Sequence, residues 1–559
     1  MIVYREQTAN AVTAVLIAAV QDQSTVQETL IAYGEFEAAV ADALSPERDT
    51  NDEELVVMRR AAVALGRWFE ASRRGEKCSA LHEWFTQAFA EVRELRLPRT
   101  VRTSVPEGYA FYGLYPESYS KAARQFVKRE HPESVCVIGI RSIGASLSAA
   151  VAGALLAAGV RVHPYTVRPH GHPFDRELRV SEGLRADWQR LAKSSHFAVV
   201  DEGPGLSGSS FLSVARALNE AGIATDRIVL FPSWEADSGA FVSERAREAW
   251  PRYRKYCAEI EPPLPQVPLE DWSAGAWRNA MPAELRAELP SQPQHEARKY
   301  RTGDGRLFKF AGLGRFGRDK LRTAELLHEG GFSPRARGFD QGYLEYEFVP
   351  GRPATKGCLD AKFVQKMADY LAFRARKWPF TPRSCAFDDL LEMIATNAAE
   401  ALGPQAAECE NRLRRVRREF EDRPAIQVDG RMMPHEWIAT SEGWLKTDAV
   451  DHCRDHFYPG YADPAWDLAG AIVEFQMNAD ERHHLLHRYT AMSRDKVSPA
   501  ILDFYEIAYL AFRAGYTSLA AKATSGTPDR DLFGAMQLAY SCFLEQALAP
   551  DLKRRQVIA

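Results

Sequence analysis

The sequence has no Cys-x-x-Cys pair, and its eight cysteines are scattered along 559 residues. That pattern argues against a disulfide framework and a zinc site, and it fits a reducing compartment. Excess charge of one sign is also missing: 71 Lys and Arg stand against 75 Asp and Glu, a formal charge of −4. A general nucleic-acid or membrane-surface binder would carry a strong basic excess, so neither partner is expected. Long apolar runs are lacking too. The longest weakly polar stretch, 144–160, is mostly Ala, Gly and Ser and reads as a buried helix, not a membrane span. Residues 1–10 lack the pattern of a signal peptide, and a cytoplasmic location is expected.

What remains is a chain with ample core. Hydrophobic residues make up 46% and charged residues 26%, the balance of a globular protein. The length corresponds to about three or four domains. In residues 1–99, apolar side chains recur at three- and four-residue steps over 11–20, 30–44, 55–69 and 81–95, which predicts helices. No chemical constellation lies here. A helical packing or dimerisation region is expected, with a homodimer as one outcome.

Residues 100–260 alternate as a parallel α/β domain. Strands are expected at 134–140, 160–167, 197–200 and 227–232. The densest chemistry follows the third of these. Its apolar run ends in two carboxylates, Asp201 and Glu202, then a Gly, Pro and Ser loop over 203–210, then a helix from about Ser210. Backbone N–H groups of such a loop, a helix N-terminus and Ser hydroxyls suit a phosphate. The carboxylates suit the hydroxyls of a ribose. The doubly wound rule places Arg141, Arg168 and Asp201 on one edge of the sheet.

This stretch resembles the signature of the type I phosphoribosyltransferases. Asp201 and Glu202 match the acidic pair, and Ser207, Gly208, Ser209 and Ser210 match the phosphate loop. The spacer 203–206 is about one residue longer than usual. Arg141, Ser142 and Gly144 resemble the family's pyrophosphate loop. The segment 168–176, with Arg168 and Arg176, stands in the place of its mobile hood. His170 and His172 lack further ligands at metal spacing, so no metal is expected on them. The resemblance implies phosphoribosyl pyrophosphate or a ribosyl phosphate as substrate, Mg²⁺ on the pyrophosphate, and catalysis by positioning and electrostatics.

Residues 261–295 are Pro-rich and read as an interdomain connection. From 296 to 559 a second pattern appears. Lys309 lies on an alternating strand, Glu325 on the helix after it, and a further strand ends at Glu347, Phe348 and Pro350-Gly351. Residues 444–448 read as a strand ending in Asp448, and 463–469 read DPAWDLA. These features resemble aminoglycoside-phosphotransferase-like kinases. The resemblance implies ATP as co-substrate. Lys309 would hold its phosphates and pair with Glu325, and Glu347 and Phe348 would form the hinge. Asp448 or Asp455 would hold the metal, with Asp451 nearby, and Asp467 would be structural. The family's His-Gly-Asp, followed by an Asn, meets Gln427-Val428-Asp429-Gly430 and His435 here. That makes Asp429 the candidate base in an altered loop. The glycines at 312, 314 and 317 follow the lysine strand, on the wrong side for a phosphate-covering loop.

The expected fold is thus an α/β multidomain chain: a helical region over 1–99, a parallel-sheet phosphoribosyltransferase-like domain over 100–260, a connection over 261–295, and a two-lobed kinase-like domain over 296–559. The expected function is a bifunctional transferase. Two alternatives stand beside it: a phosphoribosyltransferase with an inactive kinase-like domain, and a regulatory protein that senses a nucleotide or phosphoribosyl pyrophosphate without turnover.

Overall fold

The computed structural model describes residues 8–556, except 173–174, 206, 238, 240, 242–243, 260–262, 266, 379, 456 and 459. The chain divides into two compact units, with the division between Leu264 and Pro265.

The N-terminal unit is built on a five-stranded parallel sheet. Its spatial order is Arg161–Val167, Ser134–Ile140, His196–Val200, Ile228–Phe231 and Arg254–Lys255. Ser134–Ile140 is buried along its whole length. That explains its unbroken apolar run, since a parallel strand is covered on both faces. The strand order reverses between Ser134–Ile140 and His196–Val200. Their carboxyl ends therefore open side by side onto the crevice where ligands of such sheets bind.

The helices before residue 99 do not form a region of their own, contrary to expectation. Val26–Leu44, Glu53–Arg73 and Ser79–Arg93 share one apolar core with Ala149 and Ala150 of the helix Gly144–Ala157. The reason is the small side chains. A Cβ on Gly66 would lie 1.9 Å from the Ala149 carbonyl oxygen, and one on Gly153 would lie 2.1 Å from that of Gly66. The Ala, Gly and Ser run at 144–160 is thus a surface for close helix approach. The strand Thr8–Val12 also pairs antiparallel with Thr100–Ser104, across the expected boundary.

The C-terminal unit begins with an antiparallel sheet in the order Leu269–Asp271, Lys299–Thr302, Arg306–Phe310, Tyr343–Glu347 and Ala336–Asp340. Its first strand comes from the Pro-rich stretch read as a connection over 261–295, of which the part from Pro265 onward belongs to this unit. The helix Arg315–Glu329 follows the lysine strand and packs on Ala336–Asp340. A small sheet, Arg352–Pro353, Trp437–Thr440 and Gly443–Lys446, joins this part to a helical part. The main helices there are Ala361–Lys377, Phe387–Leu402, Ala465–Phe475, Ala479–Ser493, Pro499–Ala523 and Asp529–Gln556. Among the described residues, no helix is long and apolar enough to cross a membrane.

Candidate functional site

Alternation along Arg306–Phe310 buries Phe308 and Phe310 on one face of the sheet and turns Lys309 to the other. The Lys309 ammonium pairs with both Asp448 and Asp451. Lys320, on the helix Arg315–Glu329, reaches Asp451 at 2.7 Å. Burial by itself would lower the Lys309 ammonium, but the two carboxylates outweigh it and push it up. Burial would likewise raise the Asp448 carboxyl, yet Lys309, His452 and Arg431 hold it well below the usual range. Asp448 sits two residues beyond its strand, Gly443–Lys446, in a left-handed conformation with φ 54°.

The expected Lys309–Glu325 pair does not form. The buried face of that helix carries Lys320, Thr323, Ala324 and Leu327, and the helical phase leaves Glu325 exposed. The expected hinge donors are also committed. The N–H of Glu347 bonds the Arg335 carbonyl at 2.9 Å, and the N–H of Phe348 bonds that of Gly305 at 2.9 Å. Neither is left to meet an adenine. The Glu347 carboxylate pairs with Arg337 at 3.2 Å. Asp455 accepts the Phe457 N–H at 2.9 Å, as a turn cap does, and stands outside the metal-competent cluster.

Asp429, the candidate base, is sealed in the interior. It accepts the Tyr370 hydroxyl and lies 3.3 Å from the Lys446 ammonium and 4.0 Å from the Arg374 guanidinium. Its backbone N–H and that of Gly430 donate to the two Asp467 oxygens at 2.7 and 2.9 Å. Asp467 thus fixes the loop from the start of the helix Ala465–Phe475. Burial and the neighbouring Asp429 push the Asp467 carboxyl up to about 7. The side chain that does enter the cluster is Arg431. Its Nε donates to Glu436 at 2.7 Å, and its Nη2 lies 3.4 Å from Asp448. His435 instead stacks on Trp277, with ring centroids 5.8 Å apart. The sequence reading missed Arg431, Glu436 and His452. Anchoring the His-Gly-Asp pattern on Gly430 would have found the first two, because Arg431 then stands at the place of the Asp and Glu436 five residues on.

In the N-terminal unit, Asp201 and Glu202 follow the strand His196–Val200. The Glu202 carboxylate accepts the Gly108 N–H at 3.1 Å, and the Tyr119 hydroxyl donates to the Asp201 carbonyl at 2.7 Å. Burial pushes the Asp201 carboxyl up to about 6. Burial, then Glu107 and Asp201, push Glu202 up to about 8. A Cβ on Gly144 would meet the Val200 carbonyl at 2.7 Å, so only glycine lets that helix start approach the acidic pair. Ser142 beside it has φ 118°, a rare conformation for a residue with a side chain. Gly208 takes φ 60° and caps the helix Ser209–Glu220, and the Ser209 N–H donates to the Ser207 hydroxyl at 3.2 Å. Ser210, on the first turn, is half-buried.

Arg141 departs from its expected role. It is buried and pairs with Asp42 and Asp49, both supplied by the N-terminal helices and the turn after them. Its guanidinium braces the loop from within. Arg168 pairs with Asp42 as well. Arg176 lies on the hairpin His170–His172/Asp175–Glu177, and its guanidinium donates to the Pro169 carbonyl at 3.4 Å. Of the loops read from sequence, residues 173, 174 and 206 lie outside the described residues.

No protein-family model matches this sequence, and no curated protein does. Solved structures do resemble it. Choline kinase LicA from Streptococcus pneumoniae matches at 16% identity, over 47% of this chain and 92% of that one, with a TM-score of 0.34. A choline/ethanolamine kinase family protein from Mesorhizobium loti matches at 16%, over 50% and 88%, with a TM-score of 0.34. An aminoglycoside-3'-phosphotransferase of type VIII matches at 20%, over 39% and 88%, with a TM-score of 0.28.

Proposed function

We propose that the C-terminal unit, 265–559, is an ATP-binding domain of the small-molecule-kinase type. One observation carries the reading: a strand lysine, Lys309, meets the carboxylates that follow the hairpin Trp437–Lys446, Asp448 and Asp451. Triphosphate oxygens would draw Lys309 from these carboxylates, and Asp448 would turn to a divalent cation. That cation, Mg²⁺ in the family resembled, would neutralise the phosphates. Asp448 and Asp451, both at Lys309, offer the carboxylate oxygens that such an ion takes.

Transfer to a hydroxyl also calls for a base. Asp429 is walled off by Tyr370, Arg374 and Lys446, and the position after the loop glycine is a guanidinium, which takes up no proton near neutral pH. The unit is therefore read as binding ATP while phosphorylating hydroxyl acceptors poorly. Calorimetric titration with ATP and Mg²⁺ tests this. Micromolar binding with little ADP released in the presence of hydroxyl acceptors is expected; absence of binding heat removes the reading.

A second reading concerns the N-terminal unit, as a ribose 5-phosphate site of phosphoribosyltransferase type. It is favoured by the acidic pair at the strand-order reversal beside the glycine-capped start of Ser209–Glu220. There the ribose hydroxyls would donate to Asp201 and Glu202, and the 5′-phosphate would meet the backbone N–H groups of the first turn. Ligand hydroxyls bind the ionised carboxylates better than the protonated forms. With Glu202 at about 8, affinity for phosphoribosyl pyrophosphate is expected to rise about fivefold from pH 7 to pH 8 as that proton leaves. A flat profile over that range would count against Glu202 as a ribose ligand.

A further inference from the structure

Two side chains that neither reading uses, Glu436 and His452, converge on Asp448 in the C-terminal unit, and their role rests on the reading of Asp448 as a metal ligand. Glu436 comes from the turn before the strand Trp437–Thr440, Asp448 from the turn after Gly443–Lys446, and His452 from the short turn His452–Arg454. One ligand atom from each lies within 4.8 Å of the other two. His452 is 6% exposed, and neither of its ring nitrogens has a hydrogen-bond partner. A buried imidazole with both nitrogens unmatched is costly unless something else binds it. Its Nε2 faces Glu436 Oε1 at 3.7 Å and Asp448 Oδ2 at 3.8 Å. Those distances are too long for hydrogen bonds. They suit two ligands of one ion, since bonds of about 2.1 Å each allow separations up to about 4.2 Å.

We propose that Glu436, Asp448 and His452 form a divalent-metal site with a nitrogen ligand, which binds its ion without nucleotide. The second oxygens are already fixed by cations: Glu436 Oε2 is 2.9 Å from Lys446, and Asp448 Oδ1 pairs with Lys309. Such outer partners orient metal ligands. An imidazole and two carboxylates favour a transition ion such as Mn²⁺ or Zn²⁺ over Mg²⁺, which keeps to oxygen ligands and water. Arg431 competes for the site. Its Nη2 lies against the same two oxygens, Glu436 Oε1 and Asp448 Oδ2. Loading requires that guanidinium to move off, so Arg431 sets the affinity from within the cage.

The test is titration of the full chain, free of nucleotide, with Mn²⁺, read by electron paramagnetic resonance. One bound ion with a ¹⁴N coupling from the imidazole is expected. His452→Gln should remove that coupling and weaken binding at least about tenfold, within the range for altered metal shells. Arg431→Met should tighten binding by about tenfold, because the competing cation is gone. The coupling is read on the unaltered protein, so the outcome does not depend on a variant folding. Failure to bind Mn²⁺ at millimolar concentration would overturn the proposal, as would one bound ion with no nitrogen coupling.

Discussion

Lys309→Met should weaken ATP binding about 100-fold, the loss expected when a charge-assisted contact worth about 3 kcal/mol is removed. The same change should lower the stability of the C-terminal unit. Lys309 is enclosed, and its departure leaves Asp448 and Asp451 facing each other, with Lys320 still on Asp451 and Arg431 still near Asp448. Breaking a buried pair by deleting one partner costs about 3–5 kcal/mol. ATP calorimetry and denaturant unfolding measure the two effects separately. The informative control is Glu325→Gln. Glu325 is exposed and away from Lys309, so affinity should not change and stability should stay within about 0.5 kcal/mol. Unaltered ATP affinity in Lys309→Met would remove the ATP reading; a large loss in Glu325→Gln would restore the lysine–glutamate pair that the sequence suggested.

Asp201→Asn combined with Glu202→Gln should abolish phosphoribosyl pyrophosphate binding and, at pH 8, stabilise the unliganded N-terminal unit. The two directions share one cause. Both carboxyls are raised by burial, to about 6 and about 8. Between the ordinary carboxylate range and those values, the folded unit holds protons that the unfolded chain releases. Their contribution therefore falls as pH rises through the window and levels off only above about pH 8. Amides keep the oxygens that accept the Glu202 and Gly108 N–H groups without a charge to bury. Thermal unfolding at pH 5 and pH 8 should show a much larger gain for the variant at the higher pH. A variant that still binds phosphoribosyl pyrophosphate normally would refute the ribose-phosphate reading whatever its stability.

Much of the local structure is legible in the sequence. The apolar run 134–140, the acidic pair after 197–200 and the alternation around Lys309 each reflect a pattern of burial along a single strand. Gly144 could be read as part of a ligand loop, although not that its missing Cβ makes room for the Val200 carbonyl. Other features were beyond such patterns. Arg141 reads as a ligand-facing cation until the structure places Asp42 and Asp49 against it, from a region nearly a hundred residues away. Glu325 has a suitable spacing for Lys309, but helical phase turns it outward and turns Lys320 in.

The chain by itself determined where strands end in carboxylates and where glycines permit turns, because those depend on residues adjacent in sequence. Only the tertiary structure decided which charges meet. Asp429 and Arg431 are two residues apart and both polar, yet Tyr370, Arg374 and Lys446 enclose the first, while Glu436 and Asp448 draw the second into the cluster. Ion pairing acts through space and over a few ångströms. Its outcome therefore depends on partners brought together by packing, which no local pattern records.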